Sequence, residues 1–294
     1  MKKLLKRLAS RLGRRHPELL VRLRYLIRFR RRIHLNPPQD LNEKIQYLSL
    51  RTDTTAWTRL SDKYAVRDYV SECGLAHILN TLYGVWDAAD AIDFGALPQR
   101  FILKATHGSG DGYIVTDKSG LDEQQVRDVF RRTLAETYGL AEGNLHYSRI
   151  RPRIIAEALL ENDERSSRYS TSLIDYKFWC FNGKARYILT CTNRTGSNKS
   201  QLLTYDTAWH PHPEYGLYND HYLQGDPIPP PPNLDTMLEV AERLAEPFPV
   251  VRVDLYNLDG RILFGEMTFT SLGGFMNYYT PEFLQKAGSL IRLS

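Results

Sequence analysis

A mixed fold of helices and antiparallel strands is what this sequence predicts, and three observations predict it. Residues 249–274, PVVRVDLYNLDGRILFGEMTFTSLGG, hold two β-rich runs, Val250, Val251, Val253 and Leu255, then Ile262, Leu263, Phe264 and Met267. Turn chemistry at residues 257–260 joins them into a hairpin. A second hairpin is signalled by Asn182-Gly183 between the runs 175–181 and 184–192. Helices are signalled by apolar residues at helical spacing: Val126, Val129, Phe130 and Leu134 within 122–138, and the segment 234–245 that leads into the first hairpin.

With 294 residues, 42% apolar and 25% charged, the chain can bury a large core. Cys73, Cys180 and Cys191 are odd in number and share no C-x-x-C spacing. They read as reduced thiols of a cytoplasmic chain, not as a disulfide framework or zinc site. The charge is unevenly placed: residues 1–32 hold 13 basic residues against one acidic, a local net of +12, so the remainder, 26 against 33, is −7.

That N-terminal arm has Leu4, Leu5, Leu8 and Leu12 at helical spacing, and after Pro17 a second set, Leu19, Leu20, Leu23, Leu26 and Ile27. Neither run is the ~18 uninterrupted apolar residues that a membrane span needs. Arginines break every apolar core that a secretory signal would require. A basic amphipathic arm suits an anionic membrane surface at the inner face of a membrane; packing of the leucines on the body is the other reading. Nucleic acid is not expected, because no motif-bearing domain accompanies the charge.

Further along, residues 40–50 begin a helix, and Ser61 reads as the N-cap of another over 62–73, closed by Gly74. Lys63 and Arg67 share a face of it at i, i+4, where solvation is the plain reading. Residues 101–104 and 113–115 are short strands around His107, Gly108, Ser109, Gly110, Asp111 and Gly112. Such a loop lets backbone N–H groups approach phosphates, with the Lys104 ammonium beside them, although a plain hairpin has the same look. It is neither a Walker A loop nor a dinucleotide fingerprint. Residues 153–160, RIIAEALL, form an apolar segment with one acid, Glu157, and the run PIPPPP at 227–232 reads as a stiff spacer inside the domain. In the first hairpin Arg252, Asp254 and Glu266 interrupt apolar strands, an arrangement that is costly unless the charges meet a metal, a phosphate or one another. A half-exposed hairpin face shows the same alternation.

The order of these pieces is more specific than any one of them. DKYAVRDYV, ILKATHGSG, RIIAEALL, DYKFWCFNGK, FPVVRVDLYN and FGEMTF succeed one another as in the ATP-grasp superfamily, and their wording resembles its TupA-like branch, associated with bacterial surface polysaccharides. The resemblance spans residues 41–274. It implies an α+β ATP-grasp fold with the nucleotide held between antiparallel sheets of two lobes: an N-terminal lobe at 36–100, a central lobe at 101–160, and a C-terminal lobe with the metal site at 161–294, after the basic helical arm that the leucine spacing predicts at 1–35. It also implies ATP and Mg2+ as cofactors.

Carried over by position, Lys63 and Lys104 match lysines that touch nucleotide phosphates, and Lys177 joins the nucleotide-binding set. His107, Gly108, Ser109, Gly110 and Gly112 match the phosphate-covering loop. Glu157 matches the acid that faces the adenine amino group, and Leu160 its backbone contact. Asp254 and Glu266 match magnesium carboxylates, and Arg252 the arginine that steadies the transferring phosphoryl group. Where the superfamily often has Asn two residues after the metal glutamate, this chain has Thr268, which leaves one metal or two open. The ribose acid is open among Glu161, Asp163 and Glu164.

The expected activity is that of an ADP-forming carboxylate–amine ligase that makes an amide through an acyl phosphate. The resemblance implies a uronic-acid carboxylate of a cell-surface polysaccharide as acid and an amino acid or other amine as partner. Arg194, Lys199 and His210 are candidate anion contacts for the acceptor. Two other classes remain: a glycosyltransferase, for which neither a D-x-D pair nor a Rossmann-like start is present, and a non-catalytic nucleotide-binding module.

Overall fold

The computed structural model describes residues 2–110, 112–195 and 199–293. Five helices come first: α1 (Lys2–Arg15), α2 (Pro17–Phe29), α3 (Leu41–Arg51), α4 (Thr55–Ser61) and α5 (Val66–Glu72). Asp40 starts α3 with a reciprocal cap, its carboxylate accepting from the Glu43 N–H while Glu43 accepts from the Asp40 N–H.

The helix expected over 62–73 is shorter than its sequence signal. Ser61 ends α4 instead of capping a helix. The neighbouring Asp62 carboxylate accepts from the N–H groups of Tyr64 and Ala65 and bends residues 62–65 into turns before α5 begins. An Asx-type bond satisfies the same backbone donors that a helix would, so the first turn of helix is lost. Lys63 therefore stands on a turn and not on a helix.

A four-stranded sheet follows, formed by β1 (Leu82–Trp86), β2 (Phe101–Ala105), β3 (Tyr113–Val115) and β4 (Ile154–Ala158). Its order is β1-β4-β2-β3, with every pairing antiparallel. Phe101, Leu103 and Ala105 alternate onto one face, where they pack with Ile154 and Ala156 against Val126 and Phe130 of α6 (Glu123–Leu134). The period of two that buries those residues turns Lys104 to the opposite face. Two short helices, α7 (Leu145–Ser148) and α8 (Glu164–Ser167), flank β4 in the chain.

The second sheet has six strands, β5 (Asp175–Phe181), β6 (Lys184–Thr192), β7 (Ser200–Asp206), β8 (Tyr222–Gln224), β9 (Val250–Leu258) and β10 (Arg261–Thr268), in the order β10-β9-β5-β6-β7-β8. All pairings are antiparallel except β7 with β8, which is parallel. Both expected hairpin turns form. Asn182 and Gly183, with φ of 47° and 75°, join β5 to β6, and Asp259 and Gly260, with φ of 51° and 82°, join β9 to β10. Positive φ at both central residues matches the twist of the flanking strands. The main core lies where this sheet meets α9 (Leu234–Ala245) through Met237, Ala241 and Leu244, and α10 (Pro281–Ser289) through Phe283 and Ala287. Met237, Leu244 and Phe283 each contribute about 1.5–3 kcal/mol on full burial. All three cysteines are free thiols.

The N-terminal arm is helical, as its spacing predicts, and it divides its apolar residues between two surroundings. Leu20, Val21 and Tyr25 of α2 are buried, the last two in a cluster with Ile33, Leu35 and Phe275. Leu4, Leu5 and Leu8 of α1 and Leu19, Leu23, Leu26 and Ile27 of α2 are exposed. Helix α1 crosses so close to residues 139–143 that a Cβ on Gly13 would lie 1.9 Å from the Leu140 carbonyl oxygen, so only glycine fits there.

Candidate functional site

The charges of the β9–β10 hairpin converge because of a bulge. Phe264 pairs with Leu255 but Glu266 with Asp254, so two β10 residues advance for one on β9. Without the extra residue, Glu266 would turn to the other face. Gly265 occupies the bulge, where a Cβ would sit 2.9 Å from the Asp254 carbonyl oxygen. On the other side of β9, Lys177 of β5 also pairs with Asp254, and Arg252 pairs with Thr268.

Arg252 organises the resulting cluster. It donates through Nε to Asp254 Oδ1 at 2.7 Å and through Nη2 to Oδ2 at 2.8 Å, a bidentate pair, and through Nη1 to Ser271 Oγ at 2.6 Å. The same Nη2 lies 3.1 Å from Thr268 Oγ1 and 3.3 Å from Glu266 Oε1. Lys177 Nζ reaches Asp254 Oδ2 at 2.6 Å and Asp175 Oδ1 at 3.4 Å, and Arg194 pairs with Asp175. Burial opposes ionisation of Asp254, yet Arg252 and Lys177 outweigh it and hold the carboxyl below its ordinary pKa. In the same way burial works against the Lys177 ammonium, and Asp175 and Asp254 hold it above its ordinary value. The Glu266 side chain, 41% exposed, is the open edge of the cluster.

One oxygen from each of Asp254, Glu266 and Thr268 thus faces a single point, held here by a cationic nitrogen. A hard divalent cation takes oxygen donors of this kind, and Mg2+ uses one or two carboxylates and completes its shell with phosphate oxygens and water. The donor set fits Mg2+, with two acids and a hydroxyl as its protein part.

This cluster opens into a cavity of about 760 Å³. Lys177, Arg252, Glu266 and Thr268 line one side, and Lys63, Gly108 and Ser109, from the other end of the chain, line another. Lys63 Nζ donates to the Gly108 carbonyl oxygen, which ties the loop after β2 to the turn after α4. Arg194 lines the cavity too, and so do Arg24 and Arg28 of the arm.

Other expected residues stand elsewhere. On the second face of the four-stranded sheet Glu157 accepts from Lys104 at 2.9 Å and from Arg67 at 3.1 Å, and this ion cluster is outside the cavity lining. His107 is buried, with Nε2 3.1 Å from the Glu136 carbonyl oxygen. Gly110 has open space around it and Gly112 packs near Ile102; Asp111 lies outside the described residues. Leu160, half-buried, follows β4 in the connection to the six-stranded sheet. His210 pairs with Asp206 on the surface, and neither it nor Lys199 lines the cavity. Arg67, which reads from sequence as a solvated helix residue, is bound to Glu157 and the Asn80 carbonyl oxygen. It does not share a face with Lys63, which lines the cavity while Arg67 does not. Ser271, Tyr222 and Tyr278, also in the lining, have no sequence signal.

The model of the TupA-like ATP-grasp family matches residues 43–292. The chain belongs to that family. Among solved structures, a D-alanine–D-alanine ligase from Bacillus anthracis, complexed with ATP, is 12% identical with a TM-score of 0.46, the match covering 79% of this chain and 61% of that one. An L-amino acid ligase from Bacillus licheniformis is 13% identical with a TM-score of 0.46, covering 86% and 54%. The N5-carboxyaminoimidazole ribonucleotide synthetase from Thermus thermophilus is 11% identical with a TM-score of 0.44, covering 78% and 51%. This TupA-like chain therefore spans about three fifths or less of the length of these proteins. No curated protein matches it.

Proposed function

We propose that this TupA-like protein is an ATP-dependent carboxylate–amine ligase, ADP-forming, that joins an amine or amino acid to a uronic-acid carboxylate of a cell-surface glycan. Arg252, held at the meeting point of Asp254, Glu266 and Thr268 and facing the cavity, is the observation that supports it most. Asp254, Glu266 and Thr268 would hold Mg2+, which when bound neutralises phosphate charge. Arg252, Lys177 and Lys63 would take the negative charge that gathers on the γ-phosphoryl group as the acid attacks it. Gly108 and Ser109 offer backbone N–H groups to the same phosphates. The acid oxygen forms a bond to phosphorus as the bond to the ADP oxygen breaks. The amine then attacks the acyl carbon, phosphate leaves with the bonding pair, and the amine's proton passes to solvent or phosphate.

For the nucleotide end, Lys104 and Glu157 are proposed to exchange their mutual ion pair for contacts to phosphate and adenine, with Leu160 giving backbone contacts. His107, Gly110 and Gly112 would shape the covering loop. The exposed leucines of α1 and α2 amid arginines fit an enzyme that sits peripherally on an anionic membrane and takes its acceptor there. The test is ADP release from MgATP against a panel of uronic acids, each with and without amino acids. Release that requires one acid of the panel supports the reading, and release from a sugar nucleotide without ATP would overturn it in favour of glycosyl transfer.

A further inference from the structure

The lining of the cavity is strongly basic. Its described lining holds seven Lys and Arg against two Glu. Most of these cations have an acid: Arg252 and Lys177 share Asp254, Arg194 has Asp175, Lys6 has Glu136 and Arg24 lies 4.0 Å from Glu142. Lys63 is bound to the phosphate-loop carbonyl oxygen of Gly108. Arg28 differs, since among the described residues it has no acid within ion-pair distance, and its Nη2 donates to the neutral Asn277 Oδ1 at 2.5 Å.

A chain of contacts joins Arg28 to Arg252. Arg252 donates to Ser271, whose hydroxyl is 3.2 Å from the Tyr278 hydroxyl. The Tyr278 ring meets the Tyr222 ring edge-on at 5.3 Å, and Asn277, beside Tyr278 in the chain, orients Arg28. Two guanidinium groups thus stand at the ends of an aromatic strip. Helix α2 holds Arg28 in place, because Tyr25, one turn earlier, is fully buried and bonded to Asp40 and Arg31.

We infer that Arg28 binds a second anionic group of the acceptor, a carboxylate or a phosphate, while the reacting carboxylate lies at Arg252 and the body of the acceptor rests on Tyr222, backed by the buried Tyr278. The substrate class is therefore a doubly anionic acid. This inference rests on the ligase reading for the reacting end and adds a second anion contact to it. A charge-assisted pair to a planar guanidinium contributes enough to change affinity by about tenfold or more.

The test titrates galacturonate, digalacturonate and galacturonate 1-phosphate into the wild-type protein, Arg28→Ala and Arg28→Lys by calorimetry, with and without MgADP. The expected result is that the wild type binds one doubly anionic probe about tenfold more tightly than galacturonate. Arg28→Ala should erase that preference and leave MgADP affinity within about twofold, with Arg28→Lys in between. Which probe is preferred tells a carboxylate from a phosphate. No preference in the wild type, or a preference that survives Arg28→Ala, overturns the inference. Absence of MgADP binding would sink the ligase reading separately, since the preference is still read without nucleotide.

Discussion

Asp254 and Glu266 face each other across the β9–β10 ladder, yet their amides should fail in different ways. Asp254 is 1% exposed and answers two buried cations. Asp254→Asn should therefore lower stability by about 3 kcal/mol, because it removes the carboxylate that Arg252 and Lys177 share and leaves them only the more distant Glu266 and Asp175. Glu266 lies at the open edge, so Glu266→Gln should change stability by less than about 1 kcal/mol and lower turnover by at least about 100-fold. Denaturant melts beside rate measurements read both, and an active Glu266→Gln enzyme would remove Glu266 from the metal set. His146 offers a second test. It is buried against Trp57 with no hydrogen-bond partner on either ring nitrogen among the described residues, and burial, with Arg149 nearby, lowers its pKa from 6.5 to about 3. The unfolded chain takes up this proton near pH 6.5 and the folded chain does not. Stability is thus complete above pH 6.5 and falls by about 1.4 kcal/mol per pH unit below it, until the folded pKa is reached. His146→Phe should flatten that part of the pH–stability curve, and an unchanged slope would contradict the account. At this scale the sequence told which charges were costly, namely Arg252, Asp254 and Glu266 in apolar strands, because their cost is local. It did not tell that Arg67 binds Glu157, since that partner lies 90 residues away.

The two hairpins were legible as elements because positive φ at Asn182-Gly183 and Asp259-Gly260 is a local demand with a local residue solution. The bulge at Gly265 was not, although it is what turns Glu266 toward Asp254. A glycine inside a strand has several uses, and only the partner strand decides among them. Helix α5 begins later than its signal because Asp62 competes with helix for the same N–H groups and also binds Arg153 at 2.8 Å. In the arm, the sequence left membrane and body as alternatives, and α2 divides its residues between a buried face and an exposed one. Helix α1 keeps Leu4, Leu5 and Leu8 at 62%, 58% and 51% exposure. Replacing these three by Ser should leave the melting temperature unchanged and weaken association with anionic vesicles by at least about tenfold. Equal association by both proteins in a sedimentation assay would reject the membrane role. Deleting the arm as a whole is a poorer test, because it would remove Tyr25 from the core and Arg24 and Arg28 from the cavity.

For the whole molecule, the order of motifs told the family, and the ATP-grasp class with its sheets followed from it, while the helical arm was legible in its leucine spacing. What order cannot tell is which motifs meet. Lys63 and the loop at Gly108 and Ser109 share the cavity with Arg252 and Glu266, whereas Lys104 and Glu157 pair with each other outside its lining. Nucleotide binding in this account must draw Lys104 from Glu157, so MgADP should change the environment of both. Its central claim is that ATP activates a carboxylate by transfer of the γ-phosphoryl group. The direct measurement is 31P NMR of MgATP with the protein, the acid that triggers turnover, and hydroxylamine in place of the amine. Equal amounts of ADP, phosphate and hydroxamate are predicted, with no growth of AMP. AMP and pyrophosphate would mean adenylation of the acid and would contradict the proposed role of Arg252 and its neighbours at the terminal phosphate.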